Sequence, residues 1–287
     1  PVEVDLASEY RYRHPIISSD ILFIAISQSG ETADTLAALQ QAKSQGAMTA
    51  AICNVRGSSL TREASVKLYT LAGPEIGVAS TKAFTTQVLV LMMIAQCAAN
   101  IKKHKNTAKV PDLHFYLKLP HQIEAALNTD KQIRQIAESC LNSKGFLFIG
   151  RGRMFPVALE GALKTKEITY LHAEGYPAGE LKHGPIAMVD SSMTLVVLAP
   201  RDSLYEKIIS NLQEVKARGA KILSISSKND KQIQALSDYV LEYDFQNDWS
   251  DPLVGVIAVQ FLAYHIAVLK GTDVDRPRNL AKSVTVE

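Results

Sequence analysis

A cluster of small polar side chains follows the apolar run ILFIAI at residues 21–26. The cluster reads SQSGET and precedes ADTLAAL, which has the spacing of an amphipathic helix. A strand that ends where a helix begins leaves helix N–H groups unpaired and presents the positive end of the helix dipole. Side-chain donors added at this point make an anion site. The candidate phosphate ligands are Ser27, Gln28, Ser29 and Thr32.

A simpler interpretation of the same loop stays open. Ser29 could cap the helix and Gly30 could ease the turn, without any ligand. The loop is not a P-loop, since no Gly-Lys-Ser/Thr follows it, and it lacks the Gly-x-Gly-x-x-Gly of a dinucleotide site.

A second concentration of reactive side chains lies in ALEGALKTKEITYLHAEGYPAGELKHGP, residues 158–185. Lys164 and Glu167 are three apart on a predicted helix and share a face, and His183 follows in a turn rich in Gly and Pro. Together they could supply a base, a partner for an oxyanion and a proton shuttle. Alternatively, Glu160 with Lys164, or Lys166 with Glu167, could be solvated helix charges. His172 or His183 could be structural histidines.

The C-terminal stretch GTDVDRPRNLAKSVTVE is irregular and charged, and it cannot form a core of its own. Chain ends of this kind are usually disordered. The alternative is that Lys282, near a flexible end, reaches over a pocket.

An internal repeat organises these features. A shift of 173 positions places residues 21–54 on residues 194–227 without a gap, and Gln87 on Gln260. Each copy has an apolar strand, a helix, two further strands and a long apolar helix, which predicts parallel sheets covered by helices, the α/β class. Ligands of such sheets lie beyond the carboxyl ends of the strands.

The second copy replaces the hydroxyl loop with Pro200, Arg201, Asp202, Ser203 and Tyr205. This asymmetry suggests that one copy binds a ligand and the other supports it.

Composition narrows the function classes. The chain has 287 residues, a formal net charge of +2 and no basic tract that would favour nucleic acid. Cys53, Cys97 and Cys140 are interpreted as reduced core thiols, and neither a disulfide framework nor a metal site is expected. The apolar run VLVLMMIAQCAA is taken as too short for a bilayer, and no signal peptide is visible, so we expect the cytoplasm. The start at Pro1 suggests a piece of a longer protein.

Four motifs in order, SQSGETADT, GPEIGVASTKAFTTQ, AGELKHGP and RPRNLAKSVTVE, resemble the isomerase portion of bacterial glucosamine-6-phosphate synthases over essentially the whole chain. The resemblance implies two tandem sugar isomerase (SIS) domains, each a flavodoxin-like three-layer α/β/α sheet, acting on fructose 6-phosphate without a cofactor. It also implies two partners: a second copy of the chain, which forms a homodimer, and the glutaminase domain of the full-length enzyme.

The resemblance also assigns roles to individual residues. It implies that the hydroxyl loop holds the phosphate and that Val78, Ser80 and Ala281 contact the sugar. Glu167 resembles the base that moves a proton between C1 and C2, with Lys164 steadying the oxygen. His183 resembles a ring-opening histidine that reaches the pocket of the neighbouring subunit. Lys282 matches a lysine that forms a Schiff base with the open-chain ketose.

The predicted segments are a first domain at 1–108, a linker and connecting helix at 109–135, a second domain at 136–270 and a closing tail at 271–287. Two departures from the family are expected. A leading strand and helix are missing from the first domain, which would leave a gap in its sheet. The glutaminase domain is absent, so we expect ammonia-dependent or simple isomerase activity and no use of glutamine.

Three rival functions remain. A related deglycase or deaminase of amino-sugar phosphates would have the same fold, although NLAKSVTVE favours the synthase. A sugar-phosphate-binding regulator would carry a helix-turn-helix segment, and none is visible. The third rival is a structural dimerisation domain without catalytic activity, and the presence of Glu167, His183 and Lys282 argues against it.

Overall fold

The computed structural model describes residues 1–102 and 111–283. The chain divides into two compact units. Unit 1 comprises Pro1–Thr107 and Asn279–Glu287, and unit 2 comprises Ala108–Arg278. The C-terminal segment from Asn279 onward thus groups with unit 1. The four segment boundaries set from the sequence stay predictions.

Unit 1 is built on a parallel sheet with the strand order β1-β2-β3. Its elements are α1 (Ala7–Tyr10), β1 (Leu22–Ser27), α2 (Ala33–Ser44), β2 (Met48–Cys53), α3 (Ser59–Glu63), β3 (Val66–Tyr69) and α4 (Lys82–Lys102). The central strand β2 is buried from Thr49 to Cys53, which explains its continuous run of apolar and small residues. A small core of Ala25, Leu39, Ala51, Leu60 and Ala64 joins α2 and α3 to the sheet.

Unit 2 contains a five-stranded parallel sheet with the order β5-β4-β6-β7-β8. Its elements are α5 (Leu113–Leu127), α6 (Asp130–Cys140), β4 (Gly145–Gly150), α7 (Met154–Thr169), β5 (His172–Pro177), β6 (Met193–Ala199), α8 (Tyr205–Lys216), β7 (Lys221–Ser227), α9 (Lys231–Leu236), β8 (Tyr239–Tyr243) and α10 (Asp251–Lys270), with short 3-10 helices at Ala178–His183 and Pro185–Met188. These parallel sheets with flanking helices confirm the predicted α/β class.

Both faces of the second sheet are covered. Leu147 and Ile149 of β4 join a core with α8 on one face. On the other face Phe148 lies next to Gly161 of α7, which also packs against Val259 of α10. Helix α10 begins with a proline in its first turn and ends at Gly271, whose φ of 70° is the left-handed conformation of a helix C-cap. Strands buried on both faces need apolar residues throughout, which explains the sequences GFLFIG and MTLVVLA.

The repeat is visible in the structure. The elements from β1 to α4 correspond in order to β6, α8, β7, α9, β8 and α10. The β2–β3 pairing Ala50↔Val66 and the β7–β8 pairing Leu223↔Tyr239 differ by the predicted 173 positions. The pairing of β1 with β2 differs by one residue from that of β6 with β7.

The two sheets differ at the strand that begins each copy. Strand β6 lies between β4 and β7, whereas β1 is an edge strand among the described residues, with Leu22 50% and Ile26 40% exposed. The described part of unit 1 has no counterpart of β4, α7 and β5. The absence of a leading strand and helix stays a prediction.

Two helices among the described residues, α4 and α10, are long and apolar enough to cross a membrane when judged by length and composition alone. The prediction that the apolar run VLVLMMIAQCAA is too short to span a bilayer is therefore wrong, because α4 continues on both sides of this run. The candidate window of α10 is 67% buried and that of α4 is 6% buried. Helix α10 is thus a core helix of unit 2, and α4 is its counterpart in the repeat.

Leu39 of α2 and Leu212 of α8 are fully buried and occupy equivalent positions of the repeat. We expect Leu39→Ala and Leu212→Ala each to lower the free energy of unfolding by about 2–5 kcal/mol, because apolar contacts are lost and a cavity remains. Urea denaturation followed by circular dichroism measures the loss. Leu117→Ala at an exposed position of α5 is the control. Losses no larger than that of the control would contradict the assigned cores.

Candidate functional site

The hydroxyl loop of unit 1 connects β1 to α2. The Ser27 hydroxyl is buried, accepts a hydrogen bond from the Gly30 amide at 3.0 Å and lies 3.1 Å from the Thr32 hydroxyl. The Ser29 hydroxyl accepts from the Glu31 amide at 3.2 Å. The structure therefore gathers three of the predicted hydroxyls around the backbone of one tight loop. Gln28 lies between them, and its carbonyl accepts from the Asn54 amide at 3.1 Å.

The loop is not explained by helix capping. The N-cap residue of α2 is Thr32 rather than Ser29, and the Thr32 side chain makes no capping hydrogen bond. The N–H groups of the first turn of α2 thus remain uncapped by that side chain. Such groups, with hydroxyls beside them, are the donors that an anion requires.

Gly30 and Glu31 fix the shape of this loop. Gly30 has a φ of 70°, and a Cβ atom there would lie 2.2 Å from the Ser58 hydroxyl, so the position requires glycine. The Glu31 carboxylate accepts from the Ser59 amide at 2.9 Å, at the start of α3. Hydrogen bonding by the side chain and amide of Ser59 lowers the pKa of Glu31. The role of Glu31 was not predicted from the sequence, because its partner lies 28 residues away and no local pattern indicates the contact.

The C-terminal segment of unit 1 contacts this region of the same unit. The Lys282 ammonium donates to the Gly77 carbonyl at 2.5 Å, and the Ser283 hydroxyl lies 3.2 Å from that of Ser29. Val78 and Ser80, which are half-buried, belong to the loop that begins at Gly77, and Ala281 is exposed. The structure thus brings Lys282 to the loop that the resemblance assigns to the sugar.

The second set of predicted residues lies on α7 of unit 2. The Lys164 ammonium is 2.5 Å from a Glu167 carboxylate oxygen and 3.8 Å from a Glu160 oxygen. Lys164 is 4% and Glu160 6% exposed, so these two residues are not the solvated helix charges of the alternative interpretation. The Glu167 side chain is 22% exposed and is the most accessible of the three.

Glu160 has an unusual environment for a carboxyl group. Burial raises its pKa from an ordinary value of 4.5 to about 7, although the Lys164 charge and a hydrogen bond from Gln260 oppose the shift. From the sequence, Glu160 was named only as a possible solvated charge, and Gln260 was not predicted to belong to the site. The spacing of Glu160 and Lys164 fits either a buried or a solvated pair, so it carried no signal of burial.

The structure does not join His183 to this group. His183 ends the 3-10 helix Ala178–His183, is exposed, and makes no hydrogen bond or ion pair with the described residues. His172 is also exposed and lies 3.5 Å from Glu174. Neither histidine is a buried structural residue.

The equivalent loop of unit 2 already binds a carboxylate of its own chain. Asp230 is fully buried, accepts from the Tyr205 hydroxyl at 2.7 Å and lies 3.5 Å from the Arg201 guanidinium. It also accepts from the Gln232 and Ile233 amides at the start of α9. Tyr205 is the repeat counterpart of Thr32. In unit 1 the start of α3 binds Glu31 instead, and what distinguishes the loop of unit 2 is that its Tyr205 hydroxyl donates to the internal carboxylate.

The described residues include no group of three or more His, Cys, Asp or Glu side chains placed to hold a metal ion. All three cysteines are free. Cys53 and Cys140 are buried as expected, but Cys97 on α4 is exposed, so its assignment as a core thiol is wrong. Its apolar neighbours in the sequence do not become a buried environment on this helix.

Comparison with known proteins places these features in a family. A family model described as SIS domain matches residues 1–96 and 141–270. The chain is 52% identical over 287 residues to glutamine–fructose-6-phosphate aminotransferase [isomerizing] of Chlorobaculum tepidum, and 50% identical over 288 residues to that of Bacteroides thetaiotaomicron. These alignments cover all of this chain but 47% of each relative, so the chain spans about half the length of the curated relatives that it matches.

Solved structures give the same result. The C-terminal domain of glucosamine-fructose-6-phosphate aminotransferase from Francisella tularensis superposes with a TM-score of 0.89 at 45% identity, over 96% of this chain and 78% of that chain. A glucosamine-6-phosphate deaminase from Thermotoga maritima has a TM-score of 0.78 at 22% identity, over 97% of this chain and 80% of that chain, which shows a shared fold alone.

The parallel α/β units and the matched segments define a protein of the SIS class. The chain belongs to the SIS domain family and, within it, to the C-terminal isomerase portions of the glutamine–fructose-6-phosphate aminotransferases. The resemblance found in the four sequence motifs is confirmed.

The buried Glu160 carboxyl predicts a pH dependence of stability. Its pKa is higher in the folded than in the unfolded chain, so the folded chain binds more protons between pH 4.5 and about 7. The stability that this group contributes is therefore present below pH 4.5 and is lost as the pH rises to about 7. We expect the unfolding free energy of the unmodified chain, relative to Glu160→Gln, to fall by about 3 kcal/mol over this interval.

Urea denaturation at pH 5 and pH 8 measures that difference. Glu138→Gln, on the half-exposed Glu138 side chain of α6, is the control and should show little dependence on pH. A difference between the unmodified and Glu160→Gln chains that stays constant with pH would contradict the raised pKa.

Proposed function

We propose that this chain binds fructose 6-phosphate and, with ammonia, converts it into glucosamine 6-phosphate and water. The observation that carries this proposal is the uncapped loop of Ser27, Ser29 and Thr32 in a chain of this family. Its hydroxyl and amide donors fit a phosphate ester, and the names of the relatives supply the sugar. The buried ion group on α7 supports the chemistry.

The phosphate is held far from the reacting carbons. Its contacts to Ser27, Gln28, Ser29 and Thr32 fix the sugar, while the loop at Val78 and Ser80, with Ala281, contacts the hydroxyl groups. Binding energy from this remote group is then available to stabilise the transition state. Loop donors that are already oriented reduce the entropy that positioning costs.

The reaction itself proceeds through an imine. His183 opens the sugar ring by moving a proton to the ring oxygen, and the Lys282 amine then adds to the C2 carbonyl, which loses its oxygen as water. Ammonia displaces Lys282 from C2. Glu167 takes a proton from C1 and returns it to C2, and the C1 hydroxyl passes its proton to the nitrogen at C2, so that C1 becomes the aldehyde carbon. Lys164 stabilises the C1 oxygen while it is negative.

The partners follow from the same assignment. We infer a homodimer in which the exposed His183 serves the neighbouring subunit. Ammonia is supplied by a glutaminase partner, in keeping with the glutamine in the relatives' name. We infer a cytoplasmic enzyme, in which the exposed Cys97 thiol would stay reduced.

Removal of the loop hydroxyls tests the binding site. We expect the double variant Ser27→Ala/Ser29→Ala to bind fructose 6-phosphate at least about tenfold more weakly, because each hydroxyl donates to a charged group. Isothermal titration calorimetry measures the affinity. Ser210→Ala, at an exposed position of α8, should bind like the unmodified chain. Equal affinity of the double variant would refute the phosphate site.

Glu167→Gln separates imine formation from proton transfer. We expect the transfer of hydrogen from C1 to C2, followed by NMR in deuterated solvent, to slow about 100-fold or more, since a positioned base contributes that much. Borohydride reduction in the presence of fructose 6-phosphate should still attach the sugar to Lys282, as mass spectrometry of peptides would show. Glu138→Gln is the matched carboxylate control. Unchanged proton transfer would contradict the role of Glu167.

A further inference from the structure

Helix α10 contributes a side chain to the ion group on α7. The Gln260 amide nitrogen donates to Glu160 Oε1 at 3.3 Å. The same oxygen lies 3.8 Å from the Lys164 ammonium, which lies 2.5 Å from Glu167 Oε2. A continuous series of polar contacts thus runs from Gln260 through Glu160 and Lys164 to Glu167.

The two helices approach closely where this contact forms. Gly161 follows Glu160, and a Cβ atom at Gly161 would lie 2.7 Å from the Phe148 ring and 2.9 Å from Val259 Cβ. Val259 precedes Gln260. The missing side chain at Gly161 therefore lets α10 approach α7 at the level of the Glu160–Gln260 pair.

The charges around Glu160 come from its own helix. Lys164 favours its ionised form and Glu167 opposes it, while α10 supplies the neutral Gln260 amide. The next titratable group on α10, Tyr264, is exposed, and His265 pairs instead with Asp130 of α6 at 2.8 Å. A buried carboxylate that loses its donor favours the neutral acid, and a neutral Glu160 no longer attracts the Lys164 ammonium.

We propose that Gln260 is a positioning residue, which holds the Glu160 carboxylate against Lys164 and thereby fixes the ammonium beside Glu167. This inference rests on the proposed function of Glu167 and Lys164. It adds two residues to the machinery, Gln260 and Glu160, neither of which needs to touch the sugar. The donated hydrogen bond favours the ionised form of Glu160, and in that form Lys164 lies between two carboxylates.

Gln260→Met tests the proposal, because methionine keeps the length of the side chain but removes the donor. We expect kcat for proton transfer to fall about tenfold, the loss expected for a hydrogen bond to a charged group, with KM for fructose 6-phosphate changed less than about twofold. The acid side of the kcat profile should move to higher pH. Gln87→Met, at the equivalent position on α4, is the matched control and should change neither value.

A double variant separates positioning from general damage. In a chain that carries Glu160→Gln, the further change Gln260→Met should have little effect, since the two residues act as a unit. Additive losses, or an unshifted pH profile in Gln260→Met, would overturn the proposal.

An NMR titration tests the role of Gln260 without any measurement of enzymatic activity, so its outcome does not depend on the proposed function. Carbon-13 NMR of labelled glutamate carboxyls, with Glu160→Gln used for assignment, should show that Gln260→Met raises the pKa of Glu160. If the unmodified chain binds the sugar but does not isomerise it, the proposed function fails. The titration still decides whether Gln260 stabilises the ionised carboxylate of Glu160. An unchanged Glu160 pKa in Gln260→Met would refute the inference in either case.

Discussion

A polar group removed from water requires a partner, and this constraint governs both units of the chain. Lys164 is almost fully buried, and its ammonium is placed between two carboxylates of the same helix. Glu160, deeper than Glu167, is stabilised further by Gln260 of α10. The packing of α7 against α10 and the glycine at position 161 thus have an electrostatic consequence, because a looser contact would remove the Gln260 donor from the buried Glu160.

The same constraint distinguishes the two copies of the repeat. In unit 2, the loop after β6 meets Asp230, a fully buried carboxylate bound by Tyr205 and by amides of α9. In unit 1, the loop after β1 keeps hydroxyls at the corresponding positions and Thr32 where unit 2 has Tyr205. One loop receives its anion from the chain itself. The other has donors of the right kind for an anion from outside, which is the basis of the proposed phosphate site.

Much of this could be predicted from the sequence. The 173-residue repeat predicted the order of strands and helices, because parallel strands buried on both faces have continuous apolar runs. The hydroxyls at Ser27, Ser29 and Thr32 could be predicted as anion ligands, because unpaired N–H groups at a strand-to-helix junction favour anion binding. The burial of Glu160 was not predicted, since i,i+4 spacing to Lys164 is the same on a solvated and on a buried helix. Its contact with Gln260 spans 100 positions and depends on tertiary packing, for which local periodicity carries no signal.

The hydroxyl loop would have to bind its proposed phosphate without a cationic side chain of its own. SQSGET contains no lysine or arginine and includes Glu31, whose charge would repel a phosphate. The structure directs that carboxylate to the Ser59 amide at the start of α3, where the helix end stabilises it. Hydrogen-bond donors without a fixed cation orient an anion while giving less Coulomb attraction than a lysine would. For the proposed sugar phosphate, such a loop would favour precise placement over tight retention, which suits a step in which the product must leave.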